Sequence, residues 1–292
     1  MLAAHRHACF AGVALLLAGC SGVADTSADR LRQQEPEAVD VELMQYRHDE
    51  VNRVLVVKVA NPSDEDTLTV EGLEVDLPGF EGGGRSDVTA NIPPGRVFDL
   101  RVPYGDPVCA AEPAGKAVVL LGDPESEEPR RIVSPEGEEL LARIRARECS
   151  VAKALEATPV RWSPSWRQVG GGDALVVRGT LLVGPVAGGH QVDLVDIDGS
   201  VLFSTRPMGL PVAIGQGESR QVPVRIQPQR CDPHAMADNS KGFEFQVRLR
   251  LGTGSTDSQD EVLVPVLPDR AGKNILTDSW LERCGFDDLS QR

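Results

Sequence analysis

The chain has few aromatic side chains and few cations for its size. Aromatic residues make up 4% of its 292 residues, too few for a surface that stacks many bases or sugar rings. Lysine and arginine number 30 against 44 aspartates and glutamates, which gives a net charge of −14. Because nucleic acid and anionic lipid are bound by clustered cations, this balance argues against a nucleic-acid partner and against a polybasic membrane patch.

The common catalytic motifs are also lacking. The sequence contains no GxSxG, no HExxH and no GxxxxGK[ST]. Only five histidines occur, so a histidine-based site has few candidates. We therefore predict that the protein is not an enzyme, has no catalytic residues and needs no cofactor.

The N-terminus has the order of a secretory signal. A basic start around Arg6 precedes the nearly apolar residues 8–17, a run shorter than the roughly 20 residues that span a bilayer. The run ends in Leu17-Ala18-Gly19-Cys20, which resembles the bacterial lipobox. The resemblance implies that residues 1–20 are a lipoprotein signal and that Cys20 carries acyl chains such as palmitate. The protein is then anchored by lipid to the cell membrane and faces its extracytoplasmic side.

The residues after Cys20 have the composition of a tether. Residues 21–36 are polar and show no apolar period. A flexible segment of this length has a root-mean-square reach of about 20–25 Å. We expect residues 21–36 to separate a folded part from the membrane surface.

The remaining chain repeats itself. Matching features occur in the same order in its two halves, with a Gly 14 residues before the first Cys of each. The matched features are Glu37–Leu43 with Glu156–Trp162, Val54–Lys58 with Ala174–Arg178, Leu100 with Val222, Cys109 with Cys231, and Cys149 with Cys284. Such an ordered set indicates a tandem duplication.

Each half has the pattern of a β-sandwich. Apolar and polar residues alternate in short segments that Gly and Pro interrupt, about seven strands per half. The pattern predicts an all-β fold of two tandem immunoglobulin-like β-sandwich domains, residues 37–150 and 151–292. A short helix is expected at the end of each, over Pro135–Cys149 and Asp269–Cys284, with Asp269 as an N-cap. Asp198-Gly199 predicts a hairpin turn.

Four cysteines remain after removal of Cys9 with the signal and lipidation of Cys20. Four cysteines allow three pairings. The duplication selects one pairing, Cys109 with Cys149 and Cys231 with Cys284, each within its own half. An extracytoplasmic location permits such disulfides to form.

Two groups of residues are weak metal candidates. Asp232 and His234, with Asp238 nearby, lie just after Cys231 and could bind a metal. The alternative is a turn that Asp232 caps and the disulfide fixes, and we favour it because the first half has no His there. Asp193, Asp196 and Asp198 suggest calcium ligands, but they lack EF-hand spacing and fit a solvated strand end. We therefore predict no metal site.

The second half also resembles a group of secreted or lipid-anchored actinobacterial proteins. The resemblance rests on the segment from Arg230 to Ala235, on Phe243–Gly252 and on a terminal helix that ends in Cys284. It implies no activity and no site residues.

The two halves differ in charge: residues 37–150 hold 24 acidic and 12 basic side chains, whereas residues 151–292 hold 17 and 15. The nearly neutral second half is the better candidate for a surface that contacts another protein.

These observations predict a non-enzymatic, lipid-anchored cell-surface protein. Its expected role is a binding or scaffolding module with an unknown protein or cell-envelope partner, in addition to the membrane that holds its anchor. The alternative is a metal- or calcium-handling surface lipoprotein.

Overall fold

The computed structural model describes residues 39–113, 115–122, 130–133, 137–237, 241–252 and 261–286. The predicted signal, Cys20 and the tether lie outside the described residues, as does Asp238. Among the helices in these ranges, none is both long and apolar enough to cross a bilayer.

The first half is a sandwich of two antiparallel sheets. Strands β1, β2 and β5 form one sheet in the order β1-β2-β5, and the other has the order β4-β3-β6-β7. Strand β3 continues across Gly72 at a bulge, where the backbone φ is +94°. The strands are β1 (Asp40–Met44), β2 (Val54–Ala60), β3 (Leu68–Asp76), β4 (Gly84–Ile92), β5 (Val97–Pro103), β6 (Val118–Leu121) and β7 (Arg130–Val133).

Helix α1 follows the first sandwich and is longer than the sequence pattern predicts. It spans Gly137–Ala157, 21 residues, and continues past Cys149. Its first turn carries Glu138 and Glu139, which suit the positive end of the helix dipole. The helix ends before Thr158-Pro159, because the residue before a proline is driven out of the α region. The duplication predicts that residues 151–157 begin the second half, but their alanines extend the helix instead.

The second half is a larger sandwich with immunoglobulin strand order. One sheet has the order β12-β14-β10-β8 with β9 added beside β10, and the other has the order β13-β11-β15-β16. The first matches the A-B-E-D sheet and β11-β15-β16 the C-F-G sheet of an immunoglobulin domain. The strands are β8 (Val160–Trp162), β9 (Arg167–Val169), β10 (Val176–Val183), β11 (Gln191–Asp198), β12 (Phe203–Pro207), β13 (Val212–Ile214), β14 (Arg220–Pro228), β15 (Phe245–Gly252) and β16 (Glu261–Val266).

Two further helices complete the second half. Helix α2 spans Pro233–Ala237, and α3 spans Arg270–Cys284. The side chain of Asp269 accepts a hydrogen bond of 2.8 Å from the backbone N–H of Gly272, so the predicted N-cap of α3 is confirmed.

The buried apolar residues form two separate clusters, one in each sandwich. Helix α1 contributes to both, because Leu141 and Ile144 pack in the first and Ala154 in the second. The predicted boundary between residues 150 and 151 lies inside this helix. The two sandwiches therefore share α1, and no coil separates them.

Polar contacts join the two sandwiches beside α1. Lys241 of the second half is ion-paired with Glu50 of the first, and Arg147 of α1 lies 3.1 Å from the same carboxylate. Glu244 lies near these charges. Burial raises the pKa of the Glu244 carboxyl above its usual value, Glu50 raises it further, and Lys241 and Arg147 oppose the shift.

Each sandwich carries one disulfide, with the pairing that the duplication predicts. Cys109 is bonded to Cys149 and Cys231 to Cys284, with Cα–Cα distances of 5.5 and 5.2 Å. Each bond ties a helix to the loop that follows a sandwich strand. Trp280 of α3 supports the second bond, since its indole N–H donates 2.7 Å to the carbonyl of Arg230.

The strand registers correct one match between the halves. Leu43 pairs with Val57 and Val57 with Leu100, whereas Trp162 pairs with Leu181 and Leu181 with Val222. Val57 is therefore equivalent to Leu181, four residues beyond the predicted partner Val177. A shift of four keeps the same residues facing the core, so the alternating pattern alone could not detect it.

The predicted hairpin at Asp198-Gly199 is wrong. Strand β11 pairs with β13 and β15, whereas β12 pairs with β14 in the opposite sheet. Leu202 and Phe203 are both fully buried, so the chain crosses the core between these strands. The burial of two consecutive large side chains outweighs the local turn preference.

Candidate binding face on the second sandwich

Four arginines from four neighbouring strands stand in one row across the second sandwich. Arg178 of β10 is directly opposite Arg167 of β9 on one side and Arg225 of β14 on the other. Arg225 is in turn opposite Arg206 of β12. Residues that are directly opposite in adjacent strands project from the same face of the sheet. We call Arg167, Arg178, Arg225 and Arg206 the arginine row.

The row faces solvent because of the alternation in each strand. In β10 the neighbours Val177 and Gly179 are buried while Arg178 is exposed, and in β14 Val224 and Ile226 are buried while Arg225 is exposed. Arg167 and Arg206 are exposed as well. The hydrophobic faces of these strands thus fix the outward direction of all four cations.

The row has no anionic counterpart in the described part of the chain. None of its four guanidinium groups forms an ion pair or a hydrogen bond there. By contrast, Arg248 and Arg250 on the opposite sheet both pair with Glu261, at 3.7 and 2.8 Å. Like charges directly opposite each other destabilise a sheet, so the row costs stability that no ion pair of the described residues offsets.

A hollow of about 490 Å³ lies along the middle of the row. The strands beneath it are β10 and β14, and three arginines of the row line it without any acidic side chain. Its other lining residues include Trp166, from the connection between β8 and β9, and Met208, which follows β12. Met208 is 54% exposed, an unusual state for a large apolar side chain. The hollow thus combines cations with apolar groups.

Trp166 is held in place by two glycines. An ideally placed β-carbon at Gly179 of β10 would lie 2.6 Å from ring atom Cζ3, and one at Gly272 of α3 would lie 2.6 Å from Cε2 and Nε1. The ring centroid lies 5.2 Å from that of the buried Trp162. Trp162 lies in the core of the second sandwich and is 6% exposed. Trp166 is partly buried against the core of the second sandwich.

The equivalent face of the first sandwich is different. Equating Val57 with Leu181 places Val54 and Pro103 at the positions of Arg178 and Arg225, and these two residues are also directly opposite each other. Elsewhere on that face both signs of charge occur, as in the Lys58–Glu42 pair at 3.8 Å. The arginine row is therefore a property of the second sandwich alone.

The end of the row at Arg206 has acidic neighbours. Arg206 lines a second, open hollow of about 870 Å³ together with Asp196 and Asp198. Oδ2 of Asp198 accepts a hydrogen bond of 2.8 Å from Nε of Arg248. Asp196 accepts 2.8 Å from the backbone N–H of Ile197. Both carboxylates thus have hydrogen-bond donors within the protein at this strand end.

Asp232 and His234 form a capped turn. The Asp232 carboxylate accepts 3.0 Å from the backbone N–H of His234 and 2.9 Å from Arg230. These hydrogen bonds, that of Arg230 first, lower the pKa of the Asp232 carboxyl. The imidazole of His234 is exposed. In the ranges that the structure covers, no three His, Cys, Asp or Glu side chains are placed to hold a metal ion.

Sequence reasoning missed the arginine row. Net charge alone favours the second half as the contact surface, and this stays a prediction. The four arginines are far apart in sequence, and each occupies an ordinary outward position of its strand. Only the strand order and register bring them together. One sequence feature could have indicated a cationic face: the outward positions of β9, β10, β12 and β14 contain several Arg and no Asp or Glu.

Comparison with known proteins assigns no family to the chain. No protein-family model matches the sequence, and no curated protein matches it. Among solved structures, the chain is similar to a protein of unknown function from Porphyromonas gingivalis W83, with 13% identity, 73% of this chain and 91% of that chain covered, and a TM-score of 0.21. It is also similar to the YadV chaperone, with 14% identity, coverage of 73% and 90%, and a TM-score of 0.18. At such scores neither similarity carries an argument about fold or function.

Proposed function

We propose that the protein is a non-enzymatic, lipid-anchored extracytoplasmic binding protein, and that the arginine row is its binding face. The location follows from the lipobox resemblance at Cys20. The binding role rests on one observation: four exposed arginines stand directly opposite one another without an acidic partner in the described residues. No residue is assigned a catalytic role.

The cost of the row supports this role. Like charges in register reduce the stability of a sheet. Local features that break a folding rule without compensation are typical of functional sites. An anionic partner would supply the missing counter-charges, and guanidinium groups suit carboxylates and phosphates because they donate two parallel hydrogen bonds.

A site-specific crosslink on intact cells tests this function. A photo-crosslinking amino acid replaces Thr180, which lines the hollow beside the row, or Thr89, an exposed residue on β4 of the first sandwich. We expect a discrete crosslinked product from position 180 and none from position 89. The product should disappear when Arg178→Gln and Arg225→Gln are added. Equal products at both positions, or a product insensitive to the arginines, would contradict the proposed binding face.

A further inference from the structure

We infer that the hollow along the arginine row binds an extended acidic peptide segment of a partner protein that also carries an apolar side chain. This inference rests on the proposed binding function and specifies the chemistry of its ligand.

The charges require a ligand with several anionic groups. Four cations in adjacent strands are separated by three gaps of about 4.8 Å each, so the row is about 14 Å long before its flexible side chains are counted. An extended peptide rises about 3.3 Å per residue and would cover the row with four or five residues. Two or three of their carboxylates would then reach separate guanidinium groups. A single small anion would leave most of the row unpaired.

The arginine row runs across the strands. Its members are directly opposite one another in β9, β10, β14 and β12. A peptide that contacts all of them would therefore lie across these strands and not along one of them.

The apolar groups distinguish a peptide from a purely charged polymer. Met208 is 54% exposed, and the neighbouring Pro223 also lines the hollow. Met is adaptable and is used at surfaces that accept varied apolar side chains. A polyphosphate or acidic polysaccharide offers nothing that would bury Met208. An acidic peptide with an interspersed leucine offers both kinds of contact.

Fluorescence anisotropy with two labelled peptides tests the inference on the full-length protein in non-ionic detergent. The probes are a hexaglutamate peptide and a peptide in which leucines alternate with pairs of glutamates. We expect saturable binding of both, tighter for the leucine-containing probe, and weaker as salt rises because the charges are exposed. Arg178→Gln with Arg225→Gln should weaken binding at least tenfold. The control pair Arg85→Gln and Arg96→Gln, on the first sandwich, should change it less than twofold.

Further arms separate the apolar contact and the competing ligands. Met208→Ser should reduce the affinity for the leucine-containing probe to that for hexaglutamate. Inorganic phosphate and mixed micelles that contain phosphatidylglycerol are added as competitors, and neither should displace the peptides at equal anion concentration. Displacement by the micelles, or row-dependent micelle binding without peptide binding, would overturn the peptide assignment in favour of lipid.

The peptide-binding measurement and the crosslinking experiment can fail independently of each other. If the crosslink at position 180 depends on the arginines but neither peptide binds, the binding face stands and the ligand class is wrong. If the crosslink does not depend on the arginines, the proposed function fails whatever the peptides do. Equal loss of peptide binding in the row variant and the control pair would show unspecific charge attraction and overturn the inference.

Discussion

The indole of Trp166 occupies the space that any side chain at Gly272 would need. A β-carbon on Gly272 would lie 2.6 Å from Cε2 and Nε1 of the ring, far inside van der Waals contact. The contact joins α3 to the start of β9, the strand that carries Arg167. It therefore supports one end of the arginine row.

Replacement of Gly272 by Ala should destabilise the protein, although Ala is the better helix former. The added methyl must displace Trp166 or α3, and overpacking of this kind costs about 1–3 kcal/mol. An unconstrained helical Gly→Ala change would instead gain about 0.5–1 kcal/mol. Urea unfolding measures the difference. Gly215→Ala is the control, because the nearest atom there is a flexible Glu218 side-chain atom at 3.5 Å. A more stable Gly272→Ala protein would disprove the contact.

Replacement of Arg178 by Gln should raise the free energy of unfolding while it weakens ligand binding. Arg178 stands between Arg167 and Arg225, so its removal relieves two repulsions, worth about 0.2–1 kcal/mol each. The gain should shrink at high salt because exposed charges are screened. Unfolding at low and high salt measures it. Arg85→Gln, which breaks the exposed pair with Asp87, should give no such gain. A loss of stability in Arg178→Gln at low salt would contradict this expectation.

Replacement of Glu244 by Gln should stabilise the protein at neutral pH. Burial raises the pKa of Glu244 in the folded state, so its charged form is disfavoured there. The stability that Glu244 contributes is fully present at a pH below its pKa in the unfolded chain, about 4.3 for Glu. It is lost as the pH rises through its higher pKa in the folded protein. The advantage of the variant should therefore be largest at pH 7 and vanish below the unfolded pKa.

Thermal unfolding across this pH range measures the effect of Glu244→Gln. Gln keeps an oxygen that can accept the 2.7 Å hydrogen bond from Gln246. The exposed Glu71→Gln is the control and should follow the wild-type curve. An advantage of Glu244→Gln that does not change with pH would mean that the raised pKa is not its source.

Replacement of Cys20 by Ala should abolish fatty-acid labelling. The lipobox resemblance makes Cys20 the site of lipid attachment, and acyl chains anchor a protein through about 0.8 kcal/mol per buried CH₂. The variant should leave the membrane fraction or remain unprocessed. Metabolic labelling with palmitate, followed by fractionation, measures both effects. Cys9→Ala should label normally, and undiminished labelling of Cys20→Ala would refute the anchor.

The local features of the fold could be predicted from sequence because each is determined by adjacent residues. Alternation such as Val41, Glu42 and Leu43 marks a strand with one buried face. Asp269 caps α3 because a carboxylate at that position meets free backbone N–H groups. The disulfides could be predicted only because the duplication reduced three pairings to one.

The remaining features depend on contacts between distant segments. The period-2 pattern is unchanged by a four-residue shift. It therefore could not show that Val57 is equivalent to Leu181 and not to Val177. The path from Asp198 to Phe203 depends on which sheet needs Leu202 and Phe203 in its core. The arginine row depends on three strand pairings at once. No single segment contains the information that aligns Arg178 with Arg225.

Because of the internal duplication, the first sandwich can be compared directly with the second. The first sandwich forms the same pairing of strands with Val54 and Pro103 where the second has Arg178 and Arg225. The scaffold therefore folds without cations at these positions, and the row is an addition to a frame that does not need it. Exchange of these two residue pairs between the halves would transplant charge from one copy to the other while the backbone pairing stays the same. Chimeric molecules of this kind would separate recognition from architecture within a single chain.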